Sequence, residues 1–264
     1  MDCSKKPEKG RRHPMTDIPV RNPEGLASFL ESWLTEQARE AGARGGIVGL
    51  SGGVDSAVVA ALLRRCFGRD RMLAVLLPCH SQPVDAEHAM LVARALDLPT
   101  RTVDLGPTHD ALLASLEAAS PEPLSPLSRA NLKPRLRMTA LYALAQTLGY
   151  LVCGTGNRAE LTYGYFTKHG DSGVDLLPLG NLLKHEVWEL ARHLGIPPEV
   201  VDKPPTAGLW PGQTDEGEMG LSYREIDTYL SGGDVTQAVR ERIEKALLSS
   251  EHKRSMPPVA IPGA

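Results

Sequence analysis

Ser51-Gly52-Gly53-Val54-Asp55-Ser56-Ala57 carries the residue types of a phosphate-binding loop. Two adjacent glycines let the backbone turn tightly and bring its N–H groups up to an anion, and the hydroxyls of Ser51 and Ser56 add donors. The apolar run Gly46-Ile47-Val48-Gly49-Leu50 precedes the loop and a helical run, Val58 to Phe67, follows it. That order reads as strand, loop, helix, with the positive end of the helix facing the anion. The Walker pattern G-x-x-x-x-G-K-[ST] is absent, and an aspartate, Asp55, stands where a lysine would be useful. A carboxylate beside phosphates repels them unless a cation lies between, so Asp55 implies a hard, oxygen-binding ion such as Mg²⁺. The plainer alternative is a glycine turn in which Asp55 and Ser56 merely cap a helix.

A second loop of the same kind, Gly154-Thr155-Gly156-Asn157-Arg158-Ala159-Glu160, follows the apolar run Tyr150-Leu151-Val152-Cys153. It matches the dinucleotide fingerprint G-x-G-x-x-G/A, which raises the alternative of hydride transfer. That fingerprint needs a helix and then a strand ending in an acid, whereas Gly164 to Asp171 continues as loop. Glu160 is therefore the more informative residue, because it offers a second carboxylate to the metal that Asp55 implies.

Strands and helices must bring the two loops together. An amphipathic helix is expected from Pro23 to about Ala41, then the first strand and the helix from Val58. A second strand (Met72 to Leu77), a helix (Asp85 to Leu96) and a third strand (Thr100 to Leu105) follow. Prolines 107, 121, 123 and 126 break Gly106 to Ser128 around one short helical piece, after which a long helix, Arg129 to Leu148, leads into the fourth strand. Helices resume at Lys184 to Leu194, Tyr223 to Leu230 and Val235 to Leu248, separated by functional loops at Gly154 to Leu183 and Lys203 to Gly220. The alternation predicts an α/β fold, a doubly wound, mostly parallel sheet with helices on both faces. Ligands of such sheets sit at the carboxyl ends of the strands where the order reverses, here strands one and four. Residues 1–20 are expected to be a tail rich in Lys, Arg and Pro, and residues 21–264 one domain.

A net charge of −3 with acids and bases well mixed gives no field to attract nucleic acid or an anionic membrane. There is no apolar stretch long enough to span a bilayer and no signal peptide, so the expected location is cytoplasmic. Cys3, Cys66, Cys79 and Cys153 form no C-x-x-C pair and read as reduced thiols. Cys79-His80 invites a nucleophile reading, but adjacency in sequence says little about a catalytic pair.

The Ser-Gly-Gly-Val-Asp-Ser loop resembles that of the ATP pyrophosphatases, whose adenine-nucleotide α-hydrolase-like fold it implies. The resemblance sharpens to the NAD synthetase family through Asn131 to Met138, Gly154 to Glu160, Gly164 to Asp171, Asp175, Pro178 to Lys184, Asp215-Glu216 with Gly220, and His252-Lys253-Arg254 before Pro257-Pro258. It implies ATP-dependent amidation of deamido-NAD by ammonia through an adenylated carboxylate, with release of AMP and pyrophosphate. By the same resemblance ATP, as co-substrate, meets Gly49, Leu50, Ser51, Gly52, Gly53, Val54, Asp55, Ser56, Thr155, Lys184 and Thr206. Asp55 and Glu160 hold Mg²⁺, and Asp55, Glu160 and Lys184 are the catalytic set. Deamido-NAD meets Arg135, Lys168, Asp175, His252 and Lys253, and the enzyme is a homodimer. A lysine in the first turn of a helix needs an anionic partner, which favours a working role for Lys184. Arg135 and Arg137 stand two apart on a helix and face different sides, so Arg135 is expected in the pocket and Arg137 in a structural pairing. Asp175 suits either a ribose hydroxyl or the handling of ammonium. Pro134 departs from the alanine of several relatives, and the stretch Pro204 to Trp210 fits the family only around Thr206. Another amide ligase of the ATP-pyrophosphatase type would keep the first loop and lack the set Arg135, Lys168 and Asp175; an adenine-nucleotide sensor without turnover is a different class, which pyrophosphate release with the candidate acceptors would exclude.

Overall fold

The computed structural model describes Ile18, residues 20–210 and residues 212–262. The tail expected over residues 1–20 lies outside the described residues apart from Ile18 and Val20. Four strands, β1 (Gly45–Gly49), β2 (Met72–Leu76), β3 (Thr100–Thr102) and β4 (Tyr150–Val152), form a parallel sheet in the order β3-β2-β1-β4. Alternate residues of one strand face opposite layers. Val48 packs with Ala74 in the larger core, against α1 (Pro23–Glu40), α2 (Val54–Phe67), α3 (Pro83–Ala95) and α8 (Lys184–His193). Ile47 packs with Val75 and Val152 in a second core, closed by Leu141 and Ala145 of α6 (Leu132–Leu148). The sheet is thus wound on both faces. β1 to β3 step outward with α2 and α3 on one face, and the chain then returns across the other through α4 (Gly106–Ala119), α5 (Pro126–Ala130) and α6 to place β4 beside β1. The reversal falls between β1 and β4, as the loops require.

Close strand packing fixes one residue choice in β1. A Cβ on Gly45 would stand 1.8 Å from the carbonyl oxygen of Arg71, which is backbone and cannot move aside.

Three elements differ from expectation. α2 begins at Val54, four residues before the expected Val58, because the loop's own Val54, Asp55 and Ser56 are its first turn. Gly106 to Ala119 is one helix of 14 residues: Pro107 sits in its first turn, where no intrahelical N–H bond is lost. Both long loops hold a short helix, α7 (Arg158–Tyr163) in the first and α10 (Asp215–Met219) in the second, and a further one, α9 (Pro198–Val201), lies between α8 and the second loop. The chain closes with α11 (Tyr223–Leu230), α12 (Gln237–Ser249) and α13 (Glu251–Arg254).

The start of α8 is fixed from outside. Asp227 of α11 is fully buried and accepts from the backbone N–H groups of Lys184 (3.1 Å) and His185 (3.0 Å) and from His185 Nδ1 (2.6 Å). A carboxylate here meets the positive end of the helix. Glu186 works beside it, accepting from Leu183 N–H at 3.0 Å and pairing with the half-exposed Arg21 at 2.6 Å. Burial would raise the Glu186 carboxyl, but the Arg21 guanidinium and the Leu183 N–H outweigh it and hold it below its ordinary value of 4.5. A depressed acid stabilises the fold above its unfolded value and loses that contribution as pH falls. Glu186→Ala is expected to cost about 1–3 kcal/mol at neutral pH, mostly as a lost helix cap. The gap to wild type should narrow below about pH 4.5, measured by urea unfolding across pH. A gap that widened in acid would contradict the assignment.

Candidate active site

The carboxyl ends of β1 and β4 open into a cavity of about 920 Å³. On the β1 side the phosphate loop is held by Ser56, whose Oγ donates to Gly53 O (2.9 Å), accepts from Ser51 N–H (3.2 Å) and lies 3.1 Å from Ser51 Oγ. Ser56 therefore organises the loop, while exposed Ser51 faces outward. Gly52 has φ +79°, and a Cβ there would lie 2.3 Å from Asp85 O. Gly53 caps α2 with no side chain, which leaves the first N–H groups of the helix to an anion.

On the β4 side Asn157 and Glu160 form a capping box for α7. Asn157 Oδ1 accepts from Glu160 N–H and Glu160 Oε2 from Asn157 N–H, both at 3.1 Å. Asn157 Nδ2 crosses the crevice to donate to Asp55 Oδ1 at 3.0 Å. Lys184 Nζ donates to the other oxygen, Asp55 Oδ2, and lies 4.9 Å from the centre of the Tyr223 ring. Tyr223 OH sits between two further acids, Glu160 Oε1 (3.2 Å) and Asp215 Oδ2 (2.9 Å). One buried cation thus faces three carboxylates, Asp55, Glu160 and Asp215.

The electrostatics follow from that count. Burial and the neighbouring Asp55 charge push Glu160 up to about 8, although Lys184 pulls the other way. Burial also raises Asp215, against the Tyr223 hydroxyl and Lys184. Burial alone would lower Lys184; the charges of Asp55 and Glu160 overcome it, so the ammonium is held. Asp215 Oδ1 is buried with no hydrogen-bond partner. Crowded carboxylates with an unshared buried oxygen are what a hard oxygen-binding cation would relieve, and this donor set fits Mg²⁺.

The residues expected for deamido-NAD converge with one exception. Arg135 Nε donates to Lys168 O (3.3 Å), Lys168 Nζ to His252 O (2.5 Å), and Lys253 Nζ to Gly164 O (2.7 Å) and Phe166 O (2.9 Å). Arg135, Lys168, His252 and Lys253 all line the cavity. Asp175 does not: it accepts from Tyr142 OH (2.9 Å) and Val152 N–H (2.7 Å) and holds the end of β4. Half-buried Arg137 donates to Leu77 O and Ser81 Oγ, the structural pairing expected of it, but it lines the cavity as well, so the two arginines are not divided between pocket and structure as their spacing suggested. Gly49, Leu50, Ser51, Gly53, Val54, Thr155 and Thr206 also line the cavity. Thr206 Oγ1 accepts from Gly208 N–H, within a segment tied down by Lys203 to Asp85 (2.7 Å) and by Lys133 Nζ to Leu209 O (2.8 Å). Cys79, buried and pushed up by that burial, directs its thiol to Leu105 O, which removes it as a nucleophile.

Asn157, Asp215 and Tyr223 were given no role by sequence. The spacing Asn157-x-x-Glu160 is itself a capping signature and could have singled out Asn157. Tyr223, from a helix 63 residues beyond Glu160, gave no such signal.

The model of the NAD synthase family matches residues 26–257. The chain is 52% identical over 230 residues to the NH(3)-dependent NAD(+) synthetase of Carboxydothermus hydrogenoformans, covering 87% of this chain and 94% of that relative. The solved NMN synthetase of Francisella tularensis superposes with a TM-score of 0.86 at 38% identity, over 91% of this chain and 99% of that one. The NAD+ synthetase of Burkholderia pseudomallei gives 0.74 at 33% identity, over 90% and 92%. On the family match and these identities, the chain belongs to the NAD synthase family.

Proposed function

We propose that this enzyme amidates deamido-NAD with ammonia at the expense of ATP, through an adenylated nicotinate carboxylate. The observation that carries the reading is the Lys184–Asp55–Asn157–Glu160 chain of contacts, which spans the switch point directly behind a phosphate loop. The loop N–H groups bind triphosphate, and Lys184 stabilises charge that grows on the departing pyrophosphate. Asp55 and Glu160 would hold Mg²⁺, which neutralises phosphate charge when bound. Arg135, Lys168, His252 and Lys253 present cationic and polar groups to the acceptor's phosphates; Lys168 and Lys253 would exchange carbonyl partners for them. Homodimerisation and a cytoplasmic location belong to the same proposal. No helix among the described residues is long and apolar enough to cross a membrane.

The test is an assay with Mg-ATP, ammonium and either deamido-NAD or nicotinate mononucleotide, read for pyrophosphate and for the amidated product, with a glutamine arm in place of ammonium. NAD from deamido-NAD and ammonium is expected. The mononucleotide arm answers to the Francisella likeness, and turnover confined to it would move the acceptor assignment. Pyrophosphate without either product would leave the ATP chemistry and remove both acceptors.

Arg135→Ala should raise KM for deamido-NAD about 10- to 100-fold and leave KM for ATP near wild type, because one charge-assisted contact is lost from one substrate. A rise in KM for ATP alone would put Arg135 in the wrong subsite.

A further inference from the structure

Where β2 ends the chain turns through Pro78-Cys79-His80-Ser81, and soon after β3 ends it enters α4. Parallel pairing sets these two exits side by side. His80 from the first meets His109 and Asp110 from the second. Asp110 Oδ1 lies 2.7 Å from His80 Nε2 and 3.1 Å from His109 Nδ1, and the three donor atoms all fall within 4.8 Å of one another. The imidazole rings meet edge to face at 5.3 Å. None of the three residues lines the large cavity.

Two features mark how the cluster is held. His80 adopts φ +53°, a left-handed conformation that histidine and asparagine enter more readily than most residues with side chains. The His109 side chain is only 7% exposed, and its Nδ1, facing Asp110, is the nitrogen turned toward the cluster.

We propose that His80, His109 and Asp110 bind a borderline divalent transition ion such as Zn²⁺, at a position separate from the Mg²⁺ carboxylates. Two imidazole nitrogens and one carboxylate oxygen are a transition-metal donor set, whereas Mg²⁺ prefers oxygen alone. Around a tetrahedral Zn²⁺ neighbouring donors stand about 3.3 Å apart; the 2.7 and 3.1 Å to Asp110 would open slightly, and the two imidazole nitrogens already lie within 4.8 Å of each other. His80 and Asp110, 49% and 60% exposed, leave remaining positions to water. Asp104, whose Oδ1 accepts from Gly106 N–H at 2.9 Å, adds negative charge that offsets the positive end of α4. The ion would also touch function. Ser81, next to His80, accepts from Arg137 Nη2 at 3.2 Å, and both Ser81 and Arg137 line the cavity.

The experiment titrates Co²⁺ and Zn²⁺ into the full, tag-free chain with Mg²⁺ saturating, following cobalt visible absorption and melting temperature. One equivalent should bind, with a d–d band of low-symmetry geometry and a rise in Tm. His80→Asn keeps a residue that tolerates the left-handed backbone, and Asp110→Asn keeps the shape of the side chain. Each should weaken binding at least about tenfold and abolish the rise in Tm, with the metal-free melting temperature close to wild type. Absence of binding by the wild-type chain, or equal affinity in wild type and both variants, would overturn the proposal.

Discussion

Asp55→Asn is expected to lower Mg-ATP-dependent turnover by on the order of 10³-fold, the scale of losing a charge aimed at the transferring phosphate. The substitution preserves the shape of the side chain but removes the charge that holds Lys184 and, with it, one of the two proposed metal ligands. Lys184 is 1% exposed, so its ammonium is left to Glu160 and Asp215. Removing one partner of a buried pair costs about 3–5 kcal/mol, and Asp55→Ala should sit at that end of the range. Two effects are therefore mixed in the single variant. Lys184→Met in the Asp55→Asn background separates them, because replacing the whole pair by uncharged groups of similar volume removes the stranded charge. The double variant should melt above Asp55→Asn and remain as inactive. Recovery of turnover with stability would show that the pair only holds the fold.

Gly52→Ala should be the most damaging small change in the phosphate loop. The added Cβ meets Asp85 O at 2.3 Å and Ala89 N at 3.1 Å, both backbone of α3, on a residue whose φ of +79° already excludes a side chain. Either α3 shifts or the loop leaves its place. About 2–4 kcal/mol of stability should be lost, and KM for ATP should rise more than about tenfold. Gly53→Ala is the control for stability: φ is −96°, and its nearest contact would be Ser51 Oγ at 3.4 Å. Similar melting temperatures for the two variants would show that the loop is not held as described.

The layers and the place of the site were legible because local signals and topology agree. Alternating apolar runs gave β1 to β4, and the turns at Gly52 and Gly154 marked the two strands that meet at the reversal. Lys184 was legible as a helix-start cation in want of an anion, which proves to be Asp55. Punctuation misled at Pro107, since proline breaks a helix interior but starts one without loss. Asp175 had two readings from sequence, and the structure adds a third partner set that chain position could not show: it accepts from Tyr142 OH and Val152 N–H at the end of β4. Tyr223 and Asp227 reach their partners only through packing of the last helices, and the meeting of His80 with Asp110 needs two strand exits placed side by side.

Asp227 binds the first turn of α8 from 43 residues downstream of Lys184. During synthesis the phosphate loop emerges first, the lysine much later, and the carboxylate that fixes the lysine's backbone later still. A ribosome-bound chain therefore passes through a long interval in which it offers a loop for ATP without the positioned cation that would help cleave it. Turnover is therefore expected only once α11 has docked on α8.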